Sequence, residues 1–328
     1  MRKRFSILLS LFILLVMLAS CANPQTSTTT LRHIRLPMGY IPNVQYAPFY
    51  VAVEKGYFRQ AGVEIEFDYS TETDGIALVG AGELPFTVAS AEQVLLARAQ
   101  GLPVVYVLDW WQDYPVAVVS MKASNIRKPQ DLAGKKVGLP GTFGASYIGL
   151  QALLHAGGLQ ERDITLDSIG FTQVEALVTG QEDAVVVYTN NEPIQLQARG
   201  YEINVIRVAD YVKLASNGLV TNESTLQNDP DLVRGMVLAL IQGISDSLAN
   251  PDEAYQISKK YVEGLEGDQT GIPRQILEAS LPFWQAQTLG YSQPAAWQNM
   301  QKVLLDMGSL KAPLDLQAAY TNQFIPGQ

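Results

Sequence analysis

The sequence predicts an α/β fold of two lobes, each a mainly parallel sheet flanked by helices, joined by a two-strand hinge. Three observations carry this reading. Short runs with β alternation are interleaved with helical patterns, the same strand-loop-helix order begins twice, and strand patterning stops near residue 220. A chain of 328 residues is also long for one core and fits two.

Ile34, Leu36 and Met38 alternate as a strand, and residues 39–47 form a loop of Pro, Asn and Gln. Pro48 suits the first turn of a helix that Gly56 stops. Val63, Ile65, Phe67 and Tyr69 alternate with Glu64, Glu66 and Asp68, which marks a half-exposed strand, and a short helix follows Thr73-Asp74. Residues 86–89 make a third strand that runs directly into Ser90-Ala91-Glu92-Gln93, where Ser90 and Gln93 fit a capping box.

The pattern restarts at a strand over 135–139, a loop over 140–146 and a helix continuing to His155. Residues 184–188 form another strand. Thr189-Asn190-Asn191-Glu192 then makes a second capping box with Pro193 just inside, and 203–208 is a further strand. Lobe 2 is therefore placed at 118–220 and lobe 1 at 31–117 plus 221–328, with hinge crossings near 116–120 and 216–221. From Pro230 the pattern is helical: Val233, Val237, Leu240, Ile241, Ile244 and Leu248 share one face, and Asn250-Pro251 restarts a helix. Later helices are expected over 273–281, 294–307 and 315–323, and this tail packs back on the first lobe.

Arg2, Lys3 and Arg4, the apolar run from Phe5 to Leu18 and the sequence Leu18-Ala19-Ser20-Cys21 have the three parts of a secretory signal, residues 1–20. The run is about half a membrane span, and no later segment reads as one. Leu-Ala-Ser-Cys resembles the bacterial lipobox, which implies cleavage before Cys21 and acylation of it. Cys21 is the chain's only cysteine, so no internal disulfide forms, and acylation accounts for an otherwise unpaired thiol. Residues 21–30 are then the lipidated Cys and a flexible tether, and the expected location is outside the cytoplasm, anchored to the cell membrane as a lipoprotein.

Removing the three leading basic residues leaves 20 basic against 32 acidic, which excludes nucleic acid as a partner. His33 and His155 have no neighbours at ligand spacing, so no metal site is expected. No Gly-x-Ser-x-Gly elbow and no P-loop is present, so no catalytic residues and no resident cofactor are expected.

In βαβ folds ligands bind beyond the carboxyl ends of the strands. The loops there offer Asn43, Val44, Gln45 and Tyr46, then Ser90 and Glu92, then Trp110, Trp111, Gln112, Asp113 and Tyr114 in the first lobe. The second offers Thr142, Phe143, Ser146 and Tyr147, then Tyr188, Asn190, Asn191 and Glu192. Adjacent in a strand, Trp110 and Trp111 point to opposite faces, and Trp110 is taken as the one that meets ligand. Aromatics, amides, hydroxyls and carboxylates dominate, with no Lys or Arg. An anionic ligand needs cationic donors, whereas a neutral planar heterocycle needs faces to stack on and groups that donate and accept along its edge. The lining suits the second.

IPNVQYAPFYVAVEKGYF at 41–58, DLAGKKVGLPG at 131–141 and the strand pattern of 86–93 resemble the NMT1/THI5-like branch of the periplasmic binding proteins, the substrate-binding parts of ABC importers. The resemblance implies the type 2 periplasmic-binding fold, a small-molecule ligand, no chemistry, and an ABC-type membrane permease as partner, with the protein a monomer. Thiamine-precursor binders of that branch carry Trp before Thr-Pro-Asn, where this chain has Tyr40-Ile41-Pro42-Asn43. The Ile-Pro-Asn-Val-Gln form is similar to that of riboflavin-binding members, so the implied cargo is riboflavin, with an aminopyrimidine or an alkanesulfonate as alternatives. Pyrimidine-forming enzymes of the same family carry a cysteine cluster, whereas this chain has Cys21 alone. A ligand-sensing module is the remaining alternative.

Overall fold

The computed structural model describes residues 31–327, so the signal at 1–20, Cys21 and the rest of the tether at 22–30 lie outside the described residues. Strand β1 (Arg32–Gly39) pairs in parallel with β2 (Val63–Thr71) across helices α1 (Ala47–Glu54) and α2 (Tyr57–Gln60). Ile34, Leu36 and Met38 are buried while His33 and Arg35 face out, as their alternation predicts. Helix α3 (Glu72–Gly80) leads to β3 (Thr87–Ser90), which lies beside β1 through a Thr87 Oγ1 to Pro37 carbonyl bond of 3.2 Å. Helix α4 (Ala91–Ala99) and β4 (Val104–Asp109) follow.

The strands so far belong to a two-stranded sheet, β1-β2, and a three-stranded one that includes β3 and β4, and the chain then enters a five-stranded sheet of order β7-β6-β8-β5-β9, formed by β5 (Val116–Met121), β6 (Lys136–Leu139), β7 (Thr165–Ser168), β8 (Ala184–Tyr188) and β9 (Ile203–Arg207). Its helices are α5 (Gly144–Ala156), α6 (Gln173–Val178) and α7 (Glu192–Ala198). The chain returns as β10 (Asn217–Asn222), seated between β3 and β4.

Two strands break the expected parallel order. β10 is antiparallel to β3 and β4, and β5 is antiparallel to β8 and β9. Each is the first strand the chain lays down after changing sheets. The crossings fall at 110–115 and 208–216, not at 116–120 and 216–221, because Val116 to Val119 are completely buried and belong inside a sheet.

The C-terminal part is helical: α8 (Glu223–Asn228), α9 (Pro230–Ala249), α10 (Pro251–Ser258), α11 (Ile272–Trp284), α12 (Pro294–Asp306) and α13 (Leu316–Ala319). Asn250 caps α10 by accepting from the Glu253 amide at 3.2 Å. Contrary to the expectation that no segment after the signal could span a membrane, helix α9 is long and apolar enough to cross one by length and composition. Its apolar face is instead spent on the protein core: Val233, Met236, Val237, Leu240 and Ile244 are buried in one cluster with the residues of α1. At Gly243 the two helices come so close that a Cβ would stand 2.1 Å from the Pro48 carbonyl oxygen. The helix expected over 315–323 is only Leu316–Ala319, since Tyr320 leaves it to stack on Trp297 at 4.7 Å and the Thr321 amide bonds to the Tyr106 carbonyl at the edge of β4.

Candidate functional site

The carboxyl ends of β1, β2, β3, β4, β6, β7 and β8 converge on one cleft. Met38, Gly39 and Tyr40 reach it from β1, Gln45 and Tyr46 from the next loop, Glu72 from the start of α3 and Val88 from β3. Trp110 and Trp111 follow β4, and Asn217 opens β10. Facing them are Pro140 and residues 143–146, Phe171 and Gln173, then Tyr188, Asn191 and Glu192. The cleft encloses about 840 Å³ of non-atom space, the open solvent at its mouth included.

One wall is a fixed aromatic stack. Tyr46 lies on Trp110 at 5.3 Å and 22°, Phe49 meets Trp110 edge-on at 5.1 Å, and Trp111 is held among Trp110, Phe283 and Trp284. The Tyr46 hydroxyl donates to the Met38 carbonyl at 2.7 Å, which fixes the ring further. The opposite wall has Phe143 and Phe171, 48% and 52% exposed, and Phe171 meets Tyr40 edge-on at 4.8 Å. Gly144 turns the chain from β6 into α5 at φ +68°, a conformation other residues adopt only at a cost.

Among the described residues no Lys or Arg lines the cleft, and the charged groups of the lining are two carboxylates, each on the first residue of a helix. The helix dipole favours negative charge there. Glu72 accepts from Asn217 Nδ2 at 2.9 Å and from the Ser90 hydroxyl at 2.5 Å, and Ser90 also contacts Glu92 behind it. Glu192 accepts from the Tyr188 amide at 2.9 Å and from Asn191 Nδ2 at 3.2 Å. Burial pushes all three acids up: Glu72 from its ordinary value, against the hydrogen bonds it accepts, Glu192 to about 7, and Glu92, next to the Glu72 charge as well, to about 8. Trp110 Nε1 is buried with no hydrogen-bond partner among the described residues.

Of the residues expected from sequence, Gln45, Tyr46, Trp110, Phe143, Ser146, Tyr188, Asn191 and Glu192 line this cleft, and Trp111, expected to point away, lines it as well because both indoles follow the end of β4 and do not lie within the strand. Asn43 and Val44 line a shallower neighbouring hollow, Asn43 accepting from the Gln45 amide to cap a short 3-10 turn. Ser90 is fully buried behind Glu72, and its side chain caps no helix because both carboxylates engage it. Tyr114 is buried and donates to the Ala145 carbonyl at 2.8 Å, so it props the second wall from behind. Thr142 and Tyr147 line another hollow, and Tyr147 donates to Glu161. The expected Thr189 box does not form. Asn191 stands at the N-cap and Glu192 reaches back past Thr189 to the Tyr188 amide.

Met38, Tyr40, Glu72, Val88, Phe171, Gln173 and Asn217 line the cleft without having been expected there. Their shared signal is position: all but Val88 and Asn217 stand at or just after the carboxyl end of β1, β2 or β7. Among the described residues no group of three His, Cys, Asp or Glu is placed to hold a metal. His33 and His155 lie outside the cleft, beside Glu66 and Asp306.

The NMT1/THI5-like family model matches residues 43–254. The riboflavin-binding protein RibY of Chloroflexus aurantiacus is 38% identical over 97% of both chains. The formylaminopyrimidine-binding protein of Halalkalibacterium halodurans is 30% identical over 78% of both. At 24% identity, over 89% of this chain and 92% of the other, stands a 4-amino-5-hydroxymethyl-2-methylpyrimidine phosphate synthase of Legionella pneumophila. Among solved structures, the periplasmic aliphatic sulphonate binding protein SsuA of Escherichia coli superposes with a TM-score of 0.71 at 14% identity, covering 87% of this chain and 96% of that one, a likeness of fold alone. Three helix-flanked sheets whose strand ends meet at a shared cleft, a family model spanning residues 43–254 and similarity to RibY over 97% of both chains lead to one assignment: the chain belongs to the NMT1/THI5-like family and has the periplasmic-binding-protein fold.

Proposed function

We propose that the chain captures a neutral, flat heterocycle, riboflavin foremost, and presents it to an ABC-type membrane permease. The observation that carries this reading is a cleft walled by aromatic faces with no cation among the described residues of its lining. A sulfonate in such a site would lack the charged donors it needs, and it would face Glu72 and Glu192. A ring system instead stacks on the fixed wall, while the amides of Gln45, Gln173 and Asn217 supply donors and the carboxylates accept N–H or O–H groups at its edge. The name of the relative at 38% identity supports riboflavin over an aminopyrimidine.

Binding without chemistry is supported by two relatives, at 38% and 30% identity, both named as binding proteins, and by a lining that among the described residues contains no cysteine. In this reading two lobes close on the ligand about the segments 110–115 and 208–216, the protein is exported and acts as a monomer, and acylated Cys21 holds it near its permease. Riboflavin titrated into protein lacking residues 1–21 is expected to lose its fluorescence by stacking. Absence of quenching together with tight binding of formylaminopyrimidine would replace the flavin by the pyrimidine.

A further inference from the structure

Ser90 is completely buried and its hydroxyl oxygen contacts two carboxyl groups, Glu72 Oε2 at 2.5 Å and Glu92 Oε1. A hydroxyl has one hydrogen, so it can donate to only one of them. The second contact is a hydrogen bond only if the other carboxyl supplies a hydrogen of its own. The surroundings decide which acid that is. Glu72 is already met by three donors, the Asn217 amide, the Ser90 backbone N–H at 3.3 Å and the Ser90 hydroxyl, and all three favour its ionised form. Glu92 is fully buried, and its Oε2 has no partner at all.

The geometry points to a fixed relay in which neutral Glu92 donates to Ser90, Ser90 donates to Glu72, and Glu72 is thereby held as the cleft's oriented acceptor for a ligand N–H or O–H. Glu92 is a positioning residue: it lies behind the cleft wall and acts through Ser90. The relay rests on the proposed binding of a neutral ligand and names the group that would receive its hydrogen.

The other ionisable groups facing the relay are the phenols of Tyr46 from the first loop, Tyr106 from β4, Tyr114 from the crossing and Tyr188 from β8, each pushed above its ordinary range by burial. Asp109, bonded to the Tyr106 hydroxyl at 3.0 Å, is also pushed up by burial, and Glu192 stands across the cleft beside Tyr188. None of these supplies a positive charge. Ionised Glu92, with the Gln93 side chain and its own backbone N–H as its other donors, would compete with Glu72 for the Ser90 hydrogen.

The test compares wild type, Glu92→Gln and Glu92→Leu. Gln retains a hydrogen to give Ser90 but has no proton to lose. With riboflavin as the probe, wild-type affinity is expected to fall at least fivefold between pH 7 and pH 9. Glu92→Gln should bind like wild type at pH 7 and hold that affinity to pH 9, and Glu92→Leu should bind weakly throughout. Ionisation of the probe itself is common to all three proteins and cancels. Equal pH profiles for wild type and Glu92→Gln would overturn the relay.

A second readout needs no ligand: infrared difference spectra between wild type and Glu92→Gln at pH 7 should contain the carbonyl stretch of one un-ionised carboxylic acid, and its absence would also overturn the proposal. If riboflavin binds no variant while that acid band is present, the ligand assignment fails and the protonated Glu92 stands. Should Glu92→Gln fail to fold, Ser90→Ala replaces it in the infrared comparison. The acid band is then expected to shift as its acceptor is lost, and an unmoved spectrum would overturn the relay.

Discussion

The two walls of the cleft are built from the same residue types on opposite principles. In the first, Tyr46, Trp110 and Trp111 are at most 4% exposed and are locked by neighbours that belong to the core. In the second, Phe143 and Phe171 project from the loops after β6 and β7 with about half their surface in solvent. A wall that is already packed loses little side-chain entropy when a ring stacks on it, whereas the exposed phenylalanines must be ordered by the ligand. Affinity and stability are therefore coupled on one side of the cleft and separable on the other.

Truncation should reveal this most strongly. Trp110→Ala removes a buried indole that touches Tyr46, Phe49 and Trp111, and is expected to cost about 3–5 kcal/mol of stability along with binding. Thermal unfolding of the ligand-free protein measures it. Phe171→Ala should leave unfolding within about 0.5 kcal/mol of wild type. Comparable destabilisation by both would mean that the second wall is as rigid as the first.

The carboxylates on the two sides differ in the same sense. An acid whose folded pKa lies above its unfolded one takes up a proton on folding, so its stabilisation is complete below the unfolded value and is lost as pH rises through the folded one. Glu192 does this up to about 7 and Glu92 up to about 8. Acids held low, such as Glu54 by Lys260 and Asp131 by the Arg127 amide, act below about pH 5 and leave this window undisturbed. The melting temperature of ligand-free protein is expected to decline from about pH 5 to about pH 8 and then level, as scanning calorimetry would show. A separate loss above pH 7 that Glu92→Gln removes would assign the upper part of the slope to the first wall.

How far these walls could be seen in the sequence follows from what marks an element there. β1, β2 and β8 alternate or run apolar, so their carboxyl ends, and with them Tyr46, Tyr188 and Glu192, were legible. β7 reads Thr165-Leu166-Asp167-Ser168, four residues with no apolar run, so the loop after it and Phe171 and Gln173 stayed hidden. Glu72 sits in the polar string Ser70-Thr71-Glu72-Thr73-Asp74, which resembles a solvated helix start, and only the fold shows Gly39 and Ser90 closing over it. Ser90 with Gln93 had the spacing of a cap, but a hydroxyl buried between two carboxyls has stronger partners than a backbone amide. The crossings were misplaced because a strand buried on both faces and a hinge strand share the same apolar composition.

Smaller effects test whether the second wall moves independently. Phe143→Ala deletes an exposed ring and should weaken riboflavin binding about five- to tenfold, which is roughly 1–1.4 kcal/mol, with the melting temperature almost unchanged. Isothermal titration alongside a thermal melt separates the two quantities. Loss of stability without loss of affinity would take Phe143 out of the binding surface.

Gly141→Ala probes that same ring without removing it. A Cβ at this position would lie 2.3 Å from Phe143 Cε1, closer than two carbons can approach, and the next nearest atoms also belong to the Phe143 side chain. Gly141 has no left-handed backbone to strain, so the added methyl can be accommodated only by swinging the half-exposed ring aside. The fold should be indifferent, with stability within about 0.5 kcal/mol of wild type. Riboflavin affinity should fall about twofold to threefold, because the displaced ring must be returned against the methyl group before it can stack, at a cost of well under about 1 kcal/mol. Gly141→Ala combined with Phe143→Ala should then bind no worse than Phe143→Ala alone, since the clash has gone with the ring. Additive losses in the double variant would show that the methyl group acts on the loop backbone, and that the second wall is held by its loop rather than by the freedom of one phenylalanine.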